Sequence, residues 1–95
     1  MADKLTDDAV AGGIEGTDWR RDGDAIVRDL AFDDFKAAIA YVNRVADAAE
    51  AANHHPDIAV HSWNKVRLTL STHSVGGLTQ ADLDMARTLD GVPAG

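Results

Sequence analysis

Four histidines, His54, His55, His61 and His73, all fall in the second half of a chain that contains no cysteine. Imidazole has an ordinary pKa close to neutrality, so it can give a proton to a departing hydroxyl and take one from a ring nitrogen without an unusual environment. Elimination of water needs both operations. Carboxylates stand close by in sequence: Glu50 precedes His54 by one helical turn and could hold its N–H, and Asp82 follows His73. The same residues also have plainer uses. Adjacent histidines cap helix ends, an aspartate can serve only as a helix cap, and a helix glutamate can be merely solvated. His61 falls where a strand pattern alternates outward and reads as an ordinary exposed residue.

Other chemistries are excluded by what the chain lacks. Without cysteine there are no disulfides, thiolate nucleophiles, iron–sulfur clusters or Cys-type zinc sites. The histidine spacing matches neither H-E-x-x-H nor His-x3-His, so no metal is expected. The nucleophile elbow G-x-S-x-G and the phosphate loops G-x-G-x-x-G and G-x-x-x-x-G-K-[ST] are absent. Sixteen acids against nine bases give a formal charge of -7, a surface that repels phosphate backbones and anionic lipid heads, so neither nucleic acid nor membrane is an expected partner. There is no apolar run of about 18 residues and no basic-then-apolar opening, which makes the cytoplasm the expected location. A chain of 95 residues suits one domain spanning 1–95 whose modest core would gain from homo-oligomerisation.

The elements that must position these residues follow from period and punctuation. A short first helix is expected after an N-cap at Thr6, stopping at Gly12-Gly13. A hairpin follows, with strands at Trp19 to Arg21 and Ala25 to Phe32 around the turn Asp22-Gly23-Asp24. From an N-cap at Asp33, the residues Phe35, Ala38, Ile39, Val42, Ala46 and Ala49 form a helical stripe. Pro56 ends that helix near Asn53, because proline has no N–H and forces the residue before it towards extended geometry. Strands at Ile58 to His61 and Lys65 to Ser71 come next. A loop containing Gly76-Gly77 leads to a last helix from Thr79, with Asp82 completing a capping box. The order is αββαββα, an α+β fold with a four-stranded antiparallel sheet and three helices packed on one face. The histidines then stand at the ends of rigid elements, where side chains are well placed for chemistry. Which of them gives a proton and which takes one stays open.

The run Glu50, three residues, His54-His55-Pro56, six residues, Trp63, nine residues, His73, eight residues, Asp82 resembles the signature of the pterin-4a-carbinolamine dehydratases. The stretch NKVRLTLSTH, the AFDDF entry to the long helix and Trp19 extend the resemblance to roughly Trp19 to Leu89. It implies the same αββαββα fold, no metal or organic cofactor, and dehydration of the 4a-hydroxytetrahydropterin released by aromatic amino acid hydroxylases. By the same resemblance His54, His55 and His73 are the active-site histidines and Glu50 and Asp82 the supporting carboxylates. It further implies that Asn53, Pro56, Trp63, Ser71, Thr72 and Ser74 bind the substrate. Asn53 and Trp63 stand where aspartate and tyrosine are common in the family, and Ser74 where animal members often carry glutamate. An alternative is a non-catalytic pterin-binding, scaffold or dimerisation protein with the same fold.

Overall fold

A computed structural model describes residues 3–94; Met1, Ala2 and Gly95, the ends of the expected 1–95 domain, lie outside the described residues. Helix α1 (Asp7–Ile14) starts where Thr6 accepts the Ala9 N–H. It runs through Gly12 and Gly13 rather than stopping there. Gly13 lies against α3, where an added Cβ would come within 2.5 Å of Leu83, so its lack of a side chain serves close packing. Strands β1 (Arg20–Asp22) and β2 (Ala25–Ala31) join through Gly23-Asp24, with Gly23 at φ 59°, the left-handed residue that a two-residue hairpin needs first.

Helix α2 (Phe35–Ala52) begins one residue later than expected, because Asp34 rather than Asp33 accepts the Ala37 N–H. Its buried stripe is Ala38, Tyr41, Val45 and Ala49. The expected stripe was rotated away from this line: Phe35 is 52% exposed and Ala46 is exposed, while Tyr41 fills the centre and its ring packs 5.1 Å from that of Phe32. Strands β3 (Asp57–His61) and β4 (Lys65–Leu70) form the second hairpin, and α3 (Gln80–Asp90) closes the chain.

The four strands form one antiparallel sheet in the order β1-β2-β4-β3. Register fixes which side each residue faces. Ile26 opposes Leu70, Leu30 opposes Val66, Ile58 opposes Leu68 and Val60 opposes Val66. These side chains join Ala38, Tyr41, Val45, Leu83, Met85 and Leu89 in the core, so the helices cover one face. Asp29, Arg67, Lys65 and His61 are exposed on the other. There Arg67 holds Asp29 in two hydrogen bonds, at 2.7 and 3.2 Å, and with Arg20 it keeps the Asp29 carboxyl below its ordinary pKa. On the helix side, Asp90 at the end of α3 accepts from both Trp19 Nε1 and Arg28, each at 2.9 Å, which ties α3 to the first hairpin. None of the described helices is long and apolar enough to cross a membrane.

Candidate active site

The histidine pair is set by the end of α2. Asn53 takes a left-handed backbone, φ 51° and ψ 39°. Its N–H bonds the Glu50 carbonyl at 3.3 Å, and the His54 N–H bonds the Ala49 carbonyl at 3.2 Å. These two bonds satisfy carbonyls that the helix would leave unpaired, in the arrangement named after Schellman. Asparagine tolerates this conformation better than most residues. The contribution of Asn53 seen in the structure is therefore conformational: it turns the chain so that His54 and His55 diverge.

That turn changes the expected partners. His54 has left the helical path, so it no longer stacks over Glu50. His54 Nε2 instead lies 2.6 Å from Asp82 Oδ1, and His55 Nε2 lies 2.7 Å from Glu50 Oε2. The Glu50–His54 pairing expected from a continuous helix is thus replaced by two separate pairs.

Asp82 is fully buried, and every contact that it makes has a second use. Its Oδ2 accepts the Thr79 N–H at 2.9 Å, capping α3, and the Thr72 hydroxyl at 2.8 Å. Thr72 and Thr79 hydroxyls are 2.9 Å apart. The carboxylate therefore accepts from three directions, and a carboxylate that only accepts keeps a proton on His54 Nε2. Nδ1 is left as the ring nitrogen that can exchange protons, on a side chain that is 22% exposed. A cleft of about 190 Å³ opens there between the end of α2 and α3, lined by Ala52, His54, Ala81, Asp84, Met85 and Thr88.

His73 opens a 3-10 turn, His73–Val75, that ends at Gly76 with φ 64°. Thr72 just before it is fixed by a bridge to Gly77, with the Thr72 N–H bonding the Gly77 carbonyl at 2.8 Å. His73 is thus one residue from the Asp82 network, and its side chain is exposed beside Ser74; Ser71 and Pro56 are half-buried at the same end of the sheet. Trp63 is not brought to this end. It sits in the β3–β4 turn, a full strand away from His55, 62% exposed and with φ 58°. A larger hollow of about 310 Å³ on the uncovered sheet face is bounded by Asp29, Ala31, His61, Lys65 and Arg67 and contains neither member of the His54–Asp82 pair. No group of three or more His, Cys, Asp or Glu converges among the described residues as a metal site would require.

Sequence reasoning gave Thr79 its place at the helix start but not its link to the histidine site, and it missed the real task of Thr72. The T-x-x-D pattern was visible, but it announces only a helix start; that the same carboxylate also reaches His54 depends on how α2 and α3 pack.

The α2 terminus of this α+β domain thus delivers a histidine to a buried, helix-capping aspartate. The family model described as pterin 4 alpha carbinolamine dehydratase matches residues 3–92, and the chain belongs to that family. A curated relative from Nocardia farcinica, provisionally named a pterin-4-alpha-carbinolamine dehydratase, is 52% identical over 87 residues, covering 90% of each chain. One from Thermomicrobium roseum, named in the same way, is 48% identical over 85 residues, covering 87% of this chain and 90% of its own. Among solved structures, a transcriptional coactivator/pterin dehydratase from Brucella melitensis superposes with a TM-score of 0.86 at 32% identity, covering 98% of this chain and all of its own. A pterin dehydratase-like protein described as a RuBisCO assembly factor shares the fold, with a TM-score of 0.62 at 22% identity over 81% of this chain and 87% of its own.

Proposed function

We propose that this chain is a hydro-lyase that converts a 4a-hydroxytetrahydropterin to the quinonoid dihydropterin. The observation that carries the reading is His54 held on buried Asp82 at 2.6 Å, beside a cleft. Family membership supplies the substrate class.

The reaction breaks the bond from C4a to the hydroxyl oxygen, and a protonated imidazole gives the proton that lets oxygen leave as water. The lone pair of the neighbouring ring nitrogen forms the C=N bond, and that nitrogen loses its proton to a second group. One proton is given and one taken, so the enzyme's net proton count is unchanged, and proton exchange between the two groups through solvent resets them for the next turnover. His54, His55 and His73 share these tasks; Asp82 orients His54, and Glu50 pairs more loosely with His55. A carbinolamine dehydrates unaided, so positioned acid and base groups worth about 10²–10⁴ together are sufficient. Asn53, Pro56, Ser71 and Ser74 flank the histidines and form the substrate wall in this reading, while Thr72, expected there from the resemblance, acts through Asp82. We further propose that the protein works in the cytoplasm as a homo-oligomer that regenerates pterin for an aromatic amino acid hydroxylase.

The test is an absorbance assay with the 4a-hydroxy compound generated in place by a hydroxylase. The expected result is dehydration well above the spontaneous rate, unaffected by a chelator. A rate equal to the spontaneous one would leave a pterin-binding or scaffold protein as the reading.

A further inference from the structure

The uncovered face of the sheet gathers positive charge in a chain whose formal charge is -7. Register places Ala31, Lys65 and His61 side by side across β2, β4 and β3, and Asp29, Arg67 and Ala59 form the next row. Arg20 reaches Asp29 at 2.8 Å, and Arg67 holds the same carboxylate through Nε and Nη2. Two arginines thus share one acid. Among the described residues Lys65 and His61 have no carboxylate within ion-pair distance; the polar contact of His61 is Nδ1 to Ser62 Oγ at 3.3 Å. The other acids of this face lie towards its opposite end, where Asp57 pairs with Thr69 and Asp22 with Ala25. Around Lys65, three cations therefore meet one carboxylate, and two positive charges are left over. A lysine directly opposite a histidine is also a poor cross-strand pair, since the two gain nothing from each other and repel once the imidazole is protonated. Beside them Ala31 adds little bulk, and a hollow of about 310 Å³ opens between Asp29, Leu30, Ala31, His61, Lys65 and Arg67. Small-molecule sites begin at roughly that size.

We propose that this hollow binds a small organic phosphate monoester, with Lys65, His61 and Arg67 holding the phosphate and Ala31 beside the organic group. The donors match that group in number and direction. Lys65 offers its ammonium, His61 offers Nε2 because Nδ1 faces Ser62, and Arg67 offers Nη1 because Nε and Nη2 are committed to Asp29. Three donors from three side chains suit a tetrahedral group with three terminal oxygens better than a planar carboxylate with two. The two surplus positive charges match a phosphate dianion. Asp29 does not compete for the ligand's place: by fixing Arg67 from one side it holds the guanidinium still and leaves its other edge for the phosphate. The acids over the rest of the surface oppose a polyanion, so a single small phosphate is favoured over a nucleic acid. The site is distinct from both histidine–carboxylate pairs and does not depend on the pterin reading.

The experiment is a titration of the full chain with phenyl phosphate, followed by calorimetry and by the imidazole proton resonances. Saturable binding of one equivalent per chain is expected, with a shift of the resonance that His61→Gln removes and none at His54, His55 or His73. Lys65→Gln should weaken binding roughly tenfold or more and His61→Gln several-fold, since each removes a hydrogen bond to a charged group. Lys36→Gln takes the same charge from the first turn of α2 and should change affinity less than about twofold. All three positions are exposed, so the folded state should survive each change, which an unfolding curve checks. Ala31→Leu fills the hollow and should weaken phenyl phosphate more than inorganic phosphate. Shifts that rise without saturating, shifts at the other histidines in place of His61, or equal losses from Lys65→Gln and Lys36→Gln would each overturn the site. Benzoate bound as tightly as phenyl phosphate would overturn the phosphate class, and an Ala31→Leu protein that binds both phosphates as the wild type does would overturn the place given to the organic group.

Discussion

The two histidine–carboxylate pairs stand next to each other in the chain and are built from opposite materials. His54 meets a carboxylate with no exposed surface, locked by a threonine hydroxyl, a helix-capping N–H and a 2.6 Å contact. His55 meets Glu50 at a similar distance, 2.7 Å, but the two side chains are 57% and 77% exposed. An exposed pair loses most of its Coulomb energy to water and salt, and both side chains give up rotamer freedom to meet. A buried carboxylate with every oxygen engaged holds its partner without that loss of order at each turnover. Similar distances therefore describe one pair that orients and one that only associates.

The largest effects should come from attacking the buried pair. Asp82→Ala removes a helix cap and two further hydrogen bonds, and should cost about 2–4 kcal/mol in thermal or denaturant unfolding. Glu50→Ala should cost less than about 0.5 kcal/mol. Equal losses would break the contrast. In the dehydration assay, His54→Ala and His73→Ala should each lose about 10²-fold or more while unfolding normally, and His55→Ala should lose about tenfold. A His55→Ala enzyme weaker than His54→Ala would reverse the assignment.

Thr72→Val sharpens the comparison further. The hydroxyl is spent on Asp82, so the expected outcome is a several-fold fall in kcat with KM unchanged and about 1 kcal/mol lost from stability. A raised KM with kcat intact would return Thr72 to the substrate wall. The smallest effect is reserved for the exposed pair: raising salt should change the stability of the wild type and of Glu50→Gln by the same amount, within about 0.5 kcal/mol. A salt response confined to the wild type would mean that Glu50–His55 does more than its exposure allows.

Elements with a strong period and a chemical stop were legible in the sequence. Pro56 placed the end of α2 to within a few residues, the strand expected from Lys65 coincides with β4, and the T-x-x-D pattern marked the start of α3. The errors have local causes. Aspartates 33 and 34 are equally good caps by type, and only the turn geometry chooses between them. Glycines 12 and 13 read as a stop, yet α1 runs through both, and at Gly13 Leu83 occupies the space that a side chain would need. Tyr41 lies outside the expected stripe, yet its ring fills the core while its hydroxyl, buried and without a partner among the described residues, bears the desolvation that raises its pKa. The pairing of His54 with Asp82 was not readable at all. It joins residues 28 apart through the packing of α2 against α3, and a left-handed residue between Glu50 and His54 cancels the spacing rule that pointed the other way.

The carboxylate of Asp82 gives one backbone amide an unusual role as a witness. The Thr79 N–H is held by the same oxygen that takes the Thr72 hydroxyl, on the group that steadies His54. A ligand that draws His54 away, or a substitution that lets Asp82 swing, must loosen that amide. Its rate of deuterium uptake, read from a single resonance, would follow the state of the reaction centre with no pterin chromophore in the tube.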